Sequence, residues 1–165
     1  MEIGSRRILR CNATSHPTAD WTIQLLREAI PSDHQNRFLI HGQHSTFSSE
    51  LDAAVKTRGL QVLKTPIRVP QANAFCVLLI GMVRREYLDY MILINDRHLR
   101  RILGEWISHY NRGRPHSRLK PGIPDRRAAL LHRAHRHRFE EAERVISKPV
   151  LGELHHEYVV ERIAA

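Results

Sequence analysis

Tyr110-Asn111-Arg112-Gly113-Arg114-Pro115-His116-Ser117-Arg118-Leu119 is the stretch on which the reading of this chain turns. It sets arginines at 112, 114 and 118 among a glycine, a proline and a histidine, and Pro121, Gly122 and Pro124 follow. So much punctuation makes residues 111–124 irregular chain. Immediately upstream, Leu99, Ile102, Leu103, Trp106, Ile107 and Tyr110 recur at helical spacing, and Asn95 suits the cap of that helix. Downstream, Asp125–Arg138 reads as a basic helical piece. Arg144–Val150 and Leu154–Val160, joined around Gly152, suit a hairpin.

The N-terminal side alternates strands and helices. Ser5–Ala13 is a candidate strand broken by His16-Pro17, because a residue before proline is pushed away from helix. Thr18 and Asp20 suit a helix start, Trp21–Ile30 the helix, and Pro31 its end. Arg37–Ile40 is a short apolar run expected to be a buried strand. Ser49 with Asp52 resembles a capping box, opening a helix with Leu51, Ala54 and Val55 on one face and Gly59 as its stop. Leu60–Leu63 is a third strand candidate, and a helical stretch runs from Asn73 to about Met91. This is an α/β layout.

Composition sets outer limits. The 165 residues suit one domain, or one with a tail. At 42% apolar residues the chain is too hydrophobic for disorder, and no run reaches the ~18 residues of a membrane span. Cys11 and Cys76 cannot make a disulfide framework, and residues 1–7 lack a signal-peptide core, so a reduced cytoplasmic protein is expected. The net charge of +9 is local: residues 84–138 hold 14 Lys or Arg against 5 Asp or Glu, while the rest of the chain balances. A surplus of this kind suits a polyanion partner, since each phosphate contact releases counterions.

The stretch 110–119, with Pro124 after it, resembles the YN-x-x-RPH-x-x-L…P signature that ends the catalytic core of insertion-sequence transposases and retroviral-type integrases. Asn73-Ala74-Phe75-Cys76, Leu79-Ile80-Gly81, Arg84-Arg85-Glu86 and Ser45-Thr46-Phe47 continue the likeness in the right order, over roughly residues 8 to 124. The resemblance implies an RNase H-like fold, a five-stranded mixed sheet with helices on both faces, here incomplete at the N-terminus. Residues 1–124 would be the partial core and 125–165 a basic extension with the hairpin.

The family moves DNA with an Asp, a second Asp and a Glu, which hold two Mg²⁺ or Mn²⁺ ions that activate the attacking oxygen. The first Asp is expected on a strand before the point where this chain starts. Gly42, in His41-Gly42-Gln43-His44, takes the place of the second. Val77, after Asn73-Ala74-Phe75-Cys76, takes the place of the Glu. Thirty-five residues separate 42 from 77, close to the family spacing, so the alignment does not slip. Glu86 cannot substitute: nine residues past Val77 it lies about 13 Å along the helix and about 180° around it. Hard divalent cations need anionic oxygens, and Gly and Val supply none. No metal is expected here, and strand transfer is expected to be lost.

Val77, Gly81, Arg84 and Leu88 share a stripe, an apolar patch beside a cation that suits DNA phosphate. Arg84, Arg85, Arg112, Arg114 and His116 are the candidate DNA contacts. For Arg112, Arg114 and His116 two readings stand: phosphate contact, or a loop that packs the last helix onto the core with His116 hydrogen-bonded. Arg97, Arg100, Arg101, Arg126, Arg127, Arg133, Arg136 and Arg138 form a scattered basic set suited to phosphate rather than base readout. His132, His135, His137 and His155-His156 lack zinc-site spacing and read as solvated. His41 and His44 lie near the second acid position. Trp106 and Tyr110 read as core, and Cys76 as a buried inert thiol.

The expected function is therefore that of an integrase- or transposase-like core, ancestrally a DNA-integrating enzyme, now inactive with residual non-specific DNA binding. Alternatives are a DNA-binding or transposase-interacting inhibitor, or a remnant without function. A homo-oligomer or a full-length transposase are the protein partners to consider, and no membrane.

Overall fold

The computed structural model describes residues 1–44, 46–67, 69, 73–120, 122–125 and 143–162. Two compact units divide the chain, one of Met1 with Leu9–Arg100 and one of Glu2–Ile8 with Arg101–Ala165. Architecture is mixed α/β with two small sheets.

In the first unit α1 covers Ala19–Ala29. Thr18 caps it, its side-chain oxygen accepting from the Trp21 N–H at 3.2 Å, and Asp20 complements the helix dipole. Strand β1, Phe38–His41, pairs in parallel with β2, Gln61–Lys64, in the register Phe38↔Gln61 to His41↔Lys64. Between them runs α2, Ser49–Lys56. Its cap is Ser48 and not Ser49: the Ser48 hydroxyl accepts from Leu51 N–H, which moves the expected capping box by one residue. Gly59 closes the turn into β2 at φ +79°, a conformation glycine adopts without strain.

Ile30, Leu51, Val55 and Leu60 form the core of this unit, with Ile23, Leu26, Leu39, Phe47 and Val62 packed around them. Strand alternation explains the division: Leu39 and Val62 face this cluster, while Phe38, Ile40 and Leu63 stay 40–45% exposed. Arg37–Ile40 was expected to be buried, and two of its three apolar residues, Phe38 and Ile40, are not. Helix α3, Ala74–Glu86, follows, then a 3-10 turn at Leu88–Tyr90 and the start of α4, Asp96–Arg112. The Asn95 side chain accepts from His98 N–H at 2.9 Å, the expected cap.

The expected strand at Ser5–Ala13 is not formed. Ile8 shows why. Its N–H donates to Asn111 Oδ1 and its carbonyl accepts from Asn111 Nδ2, both at 3.0 Å, so a side-chain amide takes the place of a neighbouring strand. Among the described residues the parallel sheet has two strands.

The second unit is built on the rest of α4. Ile102, Trp106 and Tyr110 lie 1–2% exposed on one stripe, and the Trp106 and Tyr110 rings stack at 5.0 Å. They are core, as their spacing indicates. Strands β3, Glu143–Val150, and β4, His155–Arg162, form the antiparallel hairpin. Leu151, Gly152 and Glu153 turn it through three left-handed residues.

Candidate nucleic-acid interface

The signature stretch begins inside α4 and leaves it at Gly113. The Gly113 and Arg114 N–H groups both donate to the His109 carbonyl, at 2.8 and 2.9 Å, which ends the helix. Beyond it the His116 N–H donates to the Gly122 carbonyl, and Asp125 N–H donates back to the Asn111 carbonyl at 2.9 Å. Asn111, 9% exposed, thus closes the loop with its backbone while its amide holds Ile8. Tyr110 meets the His116 ring edge-on at 4.6 Å, and Pro124 is fully buried. Tyr110, Asn111, His116 and Pro124 are therefore packing residues.

Arg112 differs. Its side chain is 68% exposed and its Nε lies 3.7 Å from Asp125 Oδ2. Arg114 is half-buried, next in the loop. Tyr110, Asn111 and His116 hold the loop, and the Arg112 cation reaches water.

His109 and Glu157 were not singled out from sequence. His109 Nδ1 donates to Glu157 Oε1 at 2.7 Å, and the His155 ring stacks on His109 at 5.6 Å. No sequence signal joins a helix residue to one 48 positions later; only the hairpin brings them together.

In the first unit Gly42 follows the last residue of β1. A side chain there would find only Thr65 Oγ1, at 4.0 Å. The neighbouring acid is Asp52, and it is fully engaged: Oδ1 accepts from His41 Nε2 at 2.9 Å and Oδ2 from Lys64 Nζ at 2.6 Å. The ammonium of Lys64 bonded to it, helped by His41 and opposed by burial, holds the Asp52 carboxyl below its ordinary range. His41 is 5% exposed, stacks on Phe47 at 4.9 Å, and also donates through Nδ1 to the Gly42 carbonyl at 2.6 Å. Both oxygens of Asp52 are taken by Lys64 and His41, and these residues do not fit a divalent metal site. Asp52 was read as part of a helix cap; the signal that would have found the cluster is that His41 and Lys64 end neighbouring parallel strands.

Val77, 55% exposed, sits on α3 with Leu78 and Ile80 at 58% and 65%. Cys76 is exposed, which corrects its reading as a buried thiol. An apolar run predicts burial only where a partner covers it, and this run stands largely in water. Arg84 and Arg85 close α3, both exposed. Arg84 Nε donates to Asp89 Oδ1 at 3.1 Å, and the Arg85 guanidinium folds back over Gly81. Leu88 lies past the helix, so the stripe Val77–Gly81–Arg84 ends without it.

The structure keeps Gly42, Val77, Arg84 and Arg85 in the first unit and Arg112, Arg114 and His116 in the second. Ser45, Arg126, Arg127, Arg133, Arg136, Arg138, His132, His135 and His137 lie outside the described residues.

Residues 58–124 match the family model of the integrase core domain. Over this segment the chain is similar to the integrase core domain. It runs from the end of α2 through β2, α3 and α4 to the buried Pro124, covering 67 of the 165 residues. Val77 and the signature stretch fall inside it; Gly42 lies upstream. No curated protein and no solved structure matches the chain. Among the described residues no helix is long and apolar enough to cross a membrane.

Proposed function

We propose that this integrase-core-related protein binds DNA through phosphate contacts and does not cut it. The observation that carries the reading is the exposed Arg112 in the matched segment; Gly42 and Val77, which the resemblance sets where the family's carboxylates would be, supply no metal ligand. Arg84, Arg85 and Arg114 extend the cationic set, and His116 orders the loop behind Arg112. Mg²⁺ or Mn²⁺ has no place in this reading, because the carboxylate next to Gly42 is held by His41 and Lys64. The order β1–α2–β2 with a parallel pair and α3 after it supports an RNase H-like core in residues 1–124, with 125–165 as the basic extension.

Two measurements test this. Retardation of duplex DNA should weaken steeply between low and moderate salt. Incubation with labelled DNA in Mg²⁺ or Mn²⁺ should give no cleavage or strand transfer. Cleavage that disappears on Asp52→Asn would sink the inactivity claim. A second reading, a non-catalytic partner of a full-length transposase, is favoured by the exposed Val77, Leu78 and Ile80 face of α3.

A further inference from the structure

We infer that Glu157 of the β3–β4 hairpin is an internal competitor for nucleic-acid phosphate at the signature loop, an autoinhibitory contact built into the second unit. The inference rests on the DNA-binding reading of that loop and adds a restraint to it.

Four observations converge on Glu157. Its carboxylate lies against Gly113, so close that a side chain at 113 would run into Oε1, Cδ and Cγ. Gly113 does not occupy the left-handed region, so its backbone does not demand glycine; the approach of Glu157 does. The same Oε1 accepts from His109 Nδ1 at 2.7 Å, with the His109 side chain only 12% exposed. Finally, Gly113 lies between Arg112 and Arg114, the arginines proposed to meet DNA.

A carboxylate and a phosphate compete for the same donors and cations. Glu157 therefore fills the anion position of the loop, and Asp125, 3.7 Å from Arg112, answers a second charge. A phosphate approaching Gly113 meets a negative charge already in place and must displace it. Among the described residues His109 from α4 bonds this carboxylate, Lys148 is the cross-strand register partner of Glu157, and His155 stacks on His109. Displacement means releasing one side chain from one histidine, while the loop keeps its own closure through His116, Gly122 and Asp125.

The full chain tests this by fluorescence anisotropy with a short labelled DNA duplex at low salt. Glu157→Ala should tighten binding about threefold, the scale of one partly exposed ion pair. Gly113→Ala should give a similar gain by forcing the carboxylate away, and the double variant no more than either alone. Glu161→Ala makes the same charge change on the same strand, at an exposed pair with Arg144, and should give clearly less. Circular dichroism checks that each variant folds, and Gly113→Ala serves if Glu157→Ala does not. Equal gains from Glu157→Ala and Glu161→Ala would reduce the effect to net charge and overturn the inference. So would unchanged binding in both Glu157→Ala and Gly113→Ala, although loop binding would survive. No DNA binding by any form would remove both readings.

Discussion

The end of β1 holds one carboxylate between an ammonium and an imidazole, while the loop after α4 sets an imidazole and a guanidinium against two carboxylates. Asp52 lies between His41 and Lys64; His109 and Arg112 face Glu157 and Asp125. In both places charge is balanced within the protein, but not at equal depth. His41 is 4% exposed at the side chain, and Arg112 is 68%. A buried cluster of charges holds a fold, because removing one member strands the others away from water. An exposed one can exchange its partner for an external anion at little cost. The first site is therefore structural, and the second is the one that the proposed DNA reading uses.

Predictions follow from that contrast, the largest first. Leu51→Ala, at the base of the cluster beneath β1, should cost about 2–5 kcal/mol in chemical denaturation. His41→Ala should cost about 1–3 kcal/mol by leaving Asp52 half-answered. If it proves neutral, the first site is not the structural one. In the signature loop, Arg112→Ala should flatten the salt dependence of the proposed DNA binding by about one phosphate contact while leaving the melting temperature nearly unchanged. A large stability loss there would erase the distinction between the two sites.

Acid pH separates them further. The Asp52 carboxyl is lowered in the folded state, so its contribution is complete above the ordinary aspartate value of about 3.9 and is lost as pH falls through the lowered one. Asp52→Asn should remove that part of the acid limb in a pH series of denaturation midpoints, and Arg112→Ala should leave it unchanged. The smallest effect is expected of Val77→Glu. One exposed carboxylate on α3 should leave DNA cleavage in Mn²⁺ undetectable.

Local signals were legible in the sequence wherever the answer lay within a few residues. Thr18 and Asn95 cap the helices that their positions indicate, and the stripe of Ile102, Trp106 and Tyr110 is buried as its spacing requires. The signature stretch pointed to the integrase core that the family match supports over 58–124. Two neighbouring serines, 48 and 49, are chemically alike, and the preceding loop decides which one caps α2. What failed was non-local. Ser5–Ala13 has strand composition, but Ile8 within it takes its hydrogen bonds from Asn111, more than a hundred residues away. Cys76 and Val77 sit in an apolar run that composition assigns to the interior, and both are exposed. Glu157 belongs to the loop only because a hairpin folds back to it.

The uncovered apolar side chains from α3 to the start of α4 have a calorimetric consequence. Val77, Leu78, Ile80, Ile92 and Ile94 are 55–88% exposed, so water solvates them in the folded and unfolded states alike. Such surface adds little to the heat-capacity increment of unfolding, which scales with newly exposed apolar area. The increment for this chain should fall below about 12–15 cal/mol/K per residue, and its stability should vary with temperature along a shallow arc rather than a steep dome.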